Sequence, residues 1–238
     1  MTRLKRTLIA STALLLSATV AIAGTVRDFE GTMRAAYADY RDALFLTNAN
    51  KPTEAAASIA KFKEEWGALA ADNAAPPPQY ADDPGYAETL RKVAKIAELA
   101  ATQAASGKLT EAHGTLEEIR DQIGQLHERN GLIAFSDRMN AYHAAMERVL
   151  EKNNADVSPA ALTQLLEDTA ILFYLATDLV AHPPTEAGSD ETFKTAVLAV
   201  IASVQAVQNA ARAGDAAAAK QAVGGLKVPY SKLFLRFG

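Results

Sequence analysis

The sequence predicts an all-α protein made of two tandem up-down-up-down four-helix bundles. Glycine and proline fall mainly between apolar segments, and no convincing run of alternating β-branched residues indicates a strand. Pairs of similar residues also recur about 107 positions apart in the two halves. Apolar residues recur at helical spacing, with one stripe formed by Met33, Tyr37, Tyr40 and Leu44 and another by Leu116, Ile119, Ile123 and Leu126.

Residues 1–23 are predicted to be a cleavable export signal. MTRLKR is a positive n-region, TLIASTALLLSATV an apolar h-region, and AIA before Gly24 a small-x-small cleavage site. No stop-transfer pattern follows, so we favour a signal peptide over the alternative of an uncleaved anchor. Cleavage after Ala23 predicts a soluble periplasmic protein with no membrane attachment.

Charge and cysteine content argue against several functions. Loss of Arg3, Lys5 and Arg6 with the signal leaves 21 basic residues (24 minus 3) against 28 acidic ones, which argues against nucleic acid as a partner. The chain has no cysteine, so thiolate metal sites, a cysteine nucleophile and C-x-x-C-H haem attachment are excluded. No Ser/His/Asp set, phosphate loop or E-x-x-H motif is found, and we do not predict an enzyme.

The first predicted domain, residues 24–131, contains four helices. The stretches NKP, NAAPPPQYADDPG and SGK separate them, because Pro, Asp and Gly are typical of helix ends. Short connections join the first pair and the last pair, which favours antiparallel neighbours. The predicted helices cover 27–48, 53–72, 84–106 and 108–130.

The second predicted domain, residues 132–238, repeats this arrangement. Its helices are predicted at 134–154, 158–180, 189–213 and 215–237, with a kink in the last one at Pro229, which cannot donate a helical hydrogen bond. Matched residues 107 apart are Pro52 and Pro159, Pro76 and Pro183, Pro77 and Pro184, Tyr86 and Phe193, Gly107 and Gly214, Ala112 and Ala219, and Gly131 and Gly238; FEGTM and FSDRM are 106 apart.

One methionine and one histidine of the first domain are candidate metal ligands. Met33 begins the apolar stripe of the first helix, and His127 follows Ile123 by one turn near the end of the fourth. Antiparallel packing brings these two positions to the same end of the bundle. A thioether and an imidazole from opposing helices are a donor pair suited to binding haem iron from its two faces.

The segment from Phe29 to Arg129 resembles the soluble cytochrome b562 family. The resemblance lies in FEGTM at the start, APPPQYADDPGY in the middle and GKLTEAHGTLEEIRDQIGQLH before the end. It implies an exported b-type haem protein for electron transfer, with one non-covalent haem b per chain, Met33 and His127 as axial ligands, and Tyr86 as the aromatic residue beside the haem. The redox partner and the oligomeric state are not implied.

This sequence departs from the family pattern in two ways. Leu126 replaces a tyrosine before the ligand histidine, and RDQIGQ replaces the basic residues that the family has just before that tyrosine. These departures weaken the case for close propionate contacts, for which Arg120 or Arg129 remains a candidate.

The second domain lacks one ligand. Met139 corresponds to Met33, but Phe234 corresponds to His127 and cannot bind iron, so this domain is predicted to be haem-free. His143 lies one turn from Met139, and a copper ion held by this pair is a weaker alternative. His113 is interpreted as solvated and His182 as a turn residue. The alternative overall function is a haem-free periplasmic binding or scaffold protein.

Overall fold

The computed structural model describes the backbone of residues 2–152 and 158–238 and the side chains from residue 25 within those ranges. This part of the chain contains α-helices and one 3₁₀ turn and no strand, which confirms the predicted all-α class. The side chains of the predicted signal and the predicted helix end at 154 lie outside the described residues.

The chain divides into two compact units, Met1–Gly131 (unit 1) and Leu132–Gly238 (unit 2). Unit 1 contains four α-helices. The first is longer than predicted, because it begins at Thr2 rather than at residue 27, and the Leu- and Ala-rich h-region favours helix. The bounds are α1 Thr2–Asn48, α2 Pro52–Asp72, α3 Tyr86–Ala105 and α4 Leu109–Arg129, with the 3₁₀ turn Pro78–Tyr80 between α2 and α3.

The four helices of unit 1 close into a ring. Each helix packs against its neighbours in sequence, and α4 packs back against α1. Three-residue connections join α1 to α2 and α3 to α4, so successive helices are antiparallel, and so are α4 and α1. The core is aromatic at mid-height, where Trp66 is buried and its Nε1 donates a 3.0 Å hydrogen bond to the carbonyl oxygen of Leu90.

Residues in the left-handed conformation end four of the helices, and Gly131, with φ +68°, is the one that follows α4. Gly107, with φ +75°, follows α3, and its backbone N–H donates to the carbonyl of Ala104 while that of Lys108 donates to Gln103. This pair of backbone hydrogen bonds is the Schellman motif, which satisfies the last carbonyls of a helix. Gly214, with φ +72°, ends a helix of unit 2 in the same way, and Asn50, with φ 54°, ends α1.

Unit 2 is also a ring of packed helices, but it has one more segment. Its bounds are α5 Phe135–Lys152, α6 Pro159–Ala181, α7 Glu191–Arg212, α8 Ala216–Gly224 and α9 Lys227–Phe237. Ser158, Asp190 and Asp215 cap the starts of α6, α7 and α8 by accepting hydrogen bonds from backbone N–H groups. Helices α8 and α9 together close the ring between α7 and α5.

The last predicted helix, 215–237, is divided into α8 and α9, and the predicted kink at Pro229 is wrong in its position. The break falls at Gly225 and Leu226, where backbone N–H groups donate to carbonyls three residues back, Ala222 and Val223. Pro229 is the third residue of α9. Its missing N–H costs nothing there, because the first N–H groups of a helix have no intrahelical acceptor.

Candidate functional site

Met33 and His127 are both buried inside unit 1. Each side chain belongs to a residue that is 3% exposed, and the helices that carry them, α1 and α4, pack against each other. Both residues continue the apolar stripes of their helices, which explains why they face the core.

A hydrogen bond at the far end of the bundle sets the register of α1 against α4. Thr47 Oγ1 lies 2.9 Å from His113 Nδ1. Met33 lies 14 residues before Thr47 (47 minus 33), and His127 lies 14 residues after His113 (127 minus 113). On antiparallel helices, both steps cover about 21 Å and just under four turns. Met33 and His127 therefore stand at the same level of the bundle.

The loop between α2 and α3, residues 73–85 (the middle loop), covers this end of unit 1. Tyr80 in the loop and Tyr86 at the start of α3 stack with ring centroids 5.5 Å apart, and Phe29 meets Tyr80 edge-on at 5.5 Å. Phe29 precedes Met33 by one helical turn. The three rings are buried, so they close the end of the bundle next to Met33.

Tyr86, which the family resemblance places beside a haem, is held in this cluster. Its hydroxyl donates a 3.2 Å hydrogen bond to the carbonyl of Asn73. Burial raises the pKa of Tyr86 to about 12, so its phenol stays neutral at physiological pH.

A carboxylate joins the middle loop to the last turn of α4. Asp83 accepts hydrogen bonds from Arg129 Nε at 2.8 Å, Asn130 Nδ2 at 3.0 Å and the backbone N–H of Gly85 at 2.8 Å. Burial acts to raise the pKa of Asp83, but the bonds from Asn130, Gly85 and Arg129 outweigh it and hold the pKa below its usual value. The carboxylate is therefore charged at neutral pH.

The two arginines considered for a propionate contact have protein partners. Arg129 binds Asp83, and its Nη2 donates a 2.7 Å hydrogen bond to Thr89 Oγ1. Arg120 pairs with Glu117. Both guanidinium groups are therefore already paired with carboxylates of unit 1.

The donor chemistry of this end fits a b-type haem. A buried thioether and a buried imidazole, from two packed helices and at one level, are a donor pair suited to binding haem iron. The rings of Phe29, Tyr80 and Tyr86 close this end of unit 1 beside Met33.

Two other histidines have defined partners. His113, expected to be solvated, is instead half-buried, and its Nδ1 contacts both Thr47 Oγ1 and the carbonyl oxygen of Leu44 across the α1–α4 interface. His182 follows α6 as its C-terminal cap, with Nδ1 3.0 Å from Asp178 Oδ1. This agrees with the predicted turn position.

The corresponding positions in unit 2 are Met139 on α5 and Phe234 on α9. His143 Nδ1 lies 3.3 Å from Tyr230 Oη, and Lys227 Nζ lies 3.1 Å from Glu147, so α5 and α9 run antiparallel. Met139 precedes His143 by four residues and Phe234 follows Tyr230 by four, which puts them at one level. Phe234 stacks on Tyr230 with ring centroids 5.7 Å apart.

The copper alternative for Met139 and His143 gains no support. The Nδ1 of His143 contacts Tyr230, and its Nε2 lies 3.4 Å from Glu147. Both ring nitrogens therefore face protein groups. Within the described residues, no cluster of three or more His, Asp or Glu side chains is arranged to hold a metal ion.

Sequence reasoning missed the cluster formed by Asp83, Arg129 and Asn130. A signal was present, because Asp83 and Arg129 correspond to Asp190 and Arg236 at the offset of 107, and Arg236 Nη2 lies 3.2 Å from Asp190 in unit 2. Two charged residues of opposite sign repeated together predict an ion pair.

In comparisons with known proteins, no family model, curated protein or solved structure matches the chain. Among the helices whose side chains are described, none combines the length and the apolar character needed to cross a membrane.

Proposed function

We propose that unit 1 binds one haem b non-covalently between Met33 and His127 and carries electrons in the periplasm. The observation that carries this proposal is the common level of the two buried ligands, fixed by the contact of Thr47 with His113. Either residue alone has an ordinary structural explanation, as core filler or as a helix-end cation. Two iron-binding groups at one level on packed helices do not follow from either explanation.

The ligand set favours electron transfer over catalysis. Bound haem supplies one-electron exchange, and methionine ligation favours a higher potential than histidine alone. Met33 and His127 would both hold the iron, which would leave no open position for a substrate. The buried rings of Phe29, Tyr80 and Tyr86 would limit the access of water to the iron.

The periplasmic location rests on the export signal predicted in residues 1–23, and the resemblance to cytochrome b562 supports the haem assignment. Unit 2 lacks the second ligand because Phe234 stands opposite Met139. The stoichiometry is therefore one haem per chain. A redox protein of the same compartment is the expected partner.

A haem titration of the purified protein tests the proposal directly. The chain has one tryptophan, Trp66. A series of ring contacts runs from Trp66 through Phe62 and Tyr40 to Tyr37, which lies one turn from Met33. Haem in unit 1 should quench Trp66 fluorescence and give a Soret band, with both signals saturating at one equivalent. A flat titration would support the haem-free scaffold, and two equal sites would refute the assignment of unit 2.

A further inference from the structure

We propose that Asp83 is a positioning residue for His127: its carboxylate locks the middle loop onto the last turn of α4 and so holds the imidazole at the level of Met33. This inference rests on the proposed function. It adds a residue outside the ligand pair that controls how tightly the haem is held.

The bonds on the α4 side lead from Asp83 to the turn that carries the ligand. Asn130 Nδ2 donates to Asp83 at 3.0 Å and to the carbonyl of Leu126 at 2.7 Å, and the Asn130 backbone N–H donates to the carbonyl of His127 at 3.0 Å. Asn130 therefore caps the turn that contains His127. Asp83 anchors that cap.

The middle loop is a firm anchor for this carboxylate. On its other side, Gln79 Nε2 and Tyr80 Oη donate to Glu30 of α1 at 3.0 and 3.3 Å. The loop thus ties α1 near Glu30 to the end of α4. The Asp83 side chain is only 5% exposed, and that of its partner Arg129 is 35% exposed.

Substitution of Asp83 should therefore let the His127 side chain move more freely, while His127 itself stays in place as a ligand. Groups that orient a metal ligand typically change affinity by about 10- to 100-fold when they are mutated. The same fastening also keeps the aromatic rings of the middle loop over the site, so its loss should speed the release of haem.

Unit 2 offers a matched control. Asp190 accepts a hydrogen bond from Arg236 Nη2 at 3.2 Å at the corresponding positions, but this end of unit 2 has Phe234 in place of a ligand. Asp190→Asn removes the same kind of ion pair from the same chain. It should leave haem binding unchanged.

The first measurement is haem release from the full-length protein to an excess of a haem-scavenging globin. Asp83→Asn should speed release by about 10-fold or more and raise the high-spin fraction, whereas Asp190→Asn matches wild type. Asp83→Glu, which keeps the charge, should recover part of the slow release. Release and spectra that are equal in Asp83→Asn and wild type would overturn the proposal.

The second measurement needs no haem. Backbone hydrogen exchange at Asn130 should accelerate about 10-fold in Asp83→Asn, because its amide closes the turn onto His127. A wild type that binds no haem refutes the proposed function, and exchange then decides whether Asp83 fastens this turn. Unchanged exchange at Asn130 and unchanged release together refute the role of Asp83.

Discussion

Thr47 on α1 meets His113 on α4 through a 2.9 Å contact between Oγ1 and Nδ1, four turns away from the candidate ligands. The contact aligns the two helices because His113 also reaches the carbonyl of Leu44, one turn earlier on α1. A slip of one helix by a turn would break both contacts. The relative level of Met33 and His127 is thus set by a polar pair at the opposite end of the bundle.

The first prediction concerns the ligands. His127→Ala should lose most of the haem because it removes the stronger axial ligand, and Met33→Ala should keep haem but become high-spin with a lower potential. Reduced wild-type protein should show the sharp visible bands of a six-coordinate low-spin haem. Visible spectra and redox titration measure these effects.

The controls for this prediction lie in unit 2. Met139→Ala and His143→Ala should leave the haem spectrum unchanged, because both residues belong to the other unit. Loss of the haem spectrum in either variant, with a normal spectrum in His127→Ala, would mean that the haem site lies in unit 2.

The second prediction is a gain of function. Phe234→His places an imidazole at the level of Met139, as the contact of His143 with Tyr230 sets the register there. The variant should bind a second haem, raising saturation from one to two equivalents. Phe234→Leu is the matched control and should stay at one. If Phe234→His still binds one haem per chain, a histidine at the level of Met139 is not sufficient to form a haem site in unit 2.

The third prediction concerns the turn after α3. Gly107 has φ +75°, and no atom lies within 4 Å of the place where a Cβ would stand. Gly107→Ala should therefore cost only the left-handed strain of about 1–2 kcal/mol. Conversely, Asn50→Gly should stabilise the protein slightly. Denaturant unfolding measures both, and a stabilising Gly107→Ala would contradict the assigned conformation.

The fourth prediction separates the break before α9 from its proline. Pro229→Ala should change the free energy of unfolding by less than about 1 kcal/mol, since the first-turn N–H is not needed within the helix. Gln205→Pro, in the exposed middle of α7, should cost about 3 kcal/mol. A large loss in Pro229→Ala would mean that the proline itself creates the break.

The fifth prediction is a pH dependence. The pKa of Asp83 is lowered, so its stabilising bonds are fully present above the pKa of an unfolded carboxyl, about 4, and are lost as the pH falls through the lower folded pKa. Asp83→Asn should therefore destabilise unit 1 by roughly 1–3 kcal/mol at pH 7. The difference from wild type should shrink below pH 4. A difference that grows on acidification would contradict the lowered pKa.

The helical class and most helix ends were predictable because they depend on local sequence. Apolar spacing along α2, α3 and α4 predicts which face is buried, and Gly107 and Gly214 predict the ends of α3 and α7. The break in the last predicted helix lies at Gly225 and not at Pro229. A proline interrupts a helix only in its interior, so its effect depends on where the helix starts. That start is decided by packing.

The candidate ligands could be named from sequence, since Met33 and His127 lie on apolar stripes at helix ends that are expected to meet. Their burial and common level belong to the tertiary structure, because they depend on which residues of α1 and α4 meet. The position of His113 could not be predicted from sequence for the same reason. Its neighbours in sequence are polar, but its ring contacts Thr47 and the carbonyl oxygen of Leu44 across the α1–α4 interface.

The helical segments and their apolar faces follow from the sequence alone, because hydrogen bonds within a helix and its capping residues join positions at most six residues apart. The contacts of Asp83 with Arg129 and Asn130, and those of Phe29 with Tyr80 and Tyr86, belong to the tertiary structure. The contacts of Asp83 with the end of α4 and those of Phe29 with the two tyrosines join residues 46 to 57 positions apart in the chain. Their geometry follows from how whole helices pack, which no short stretch of sequence specifies.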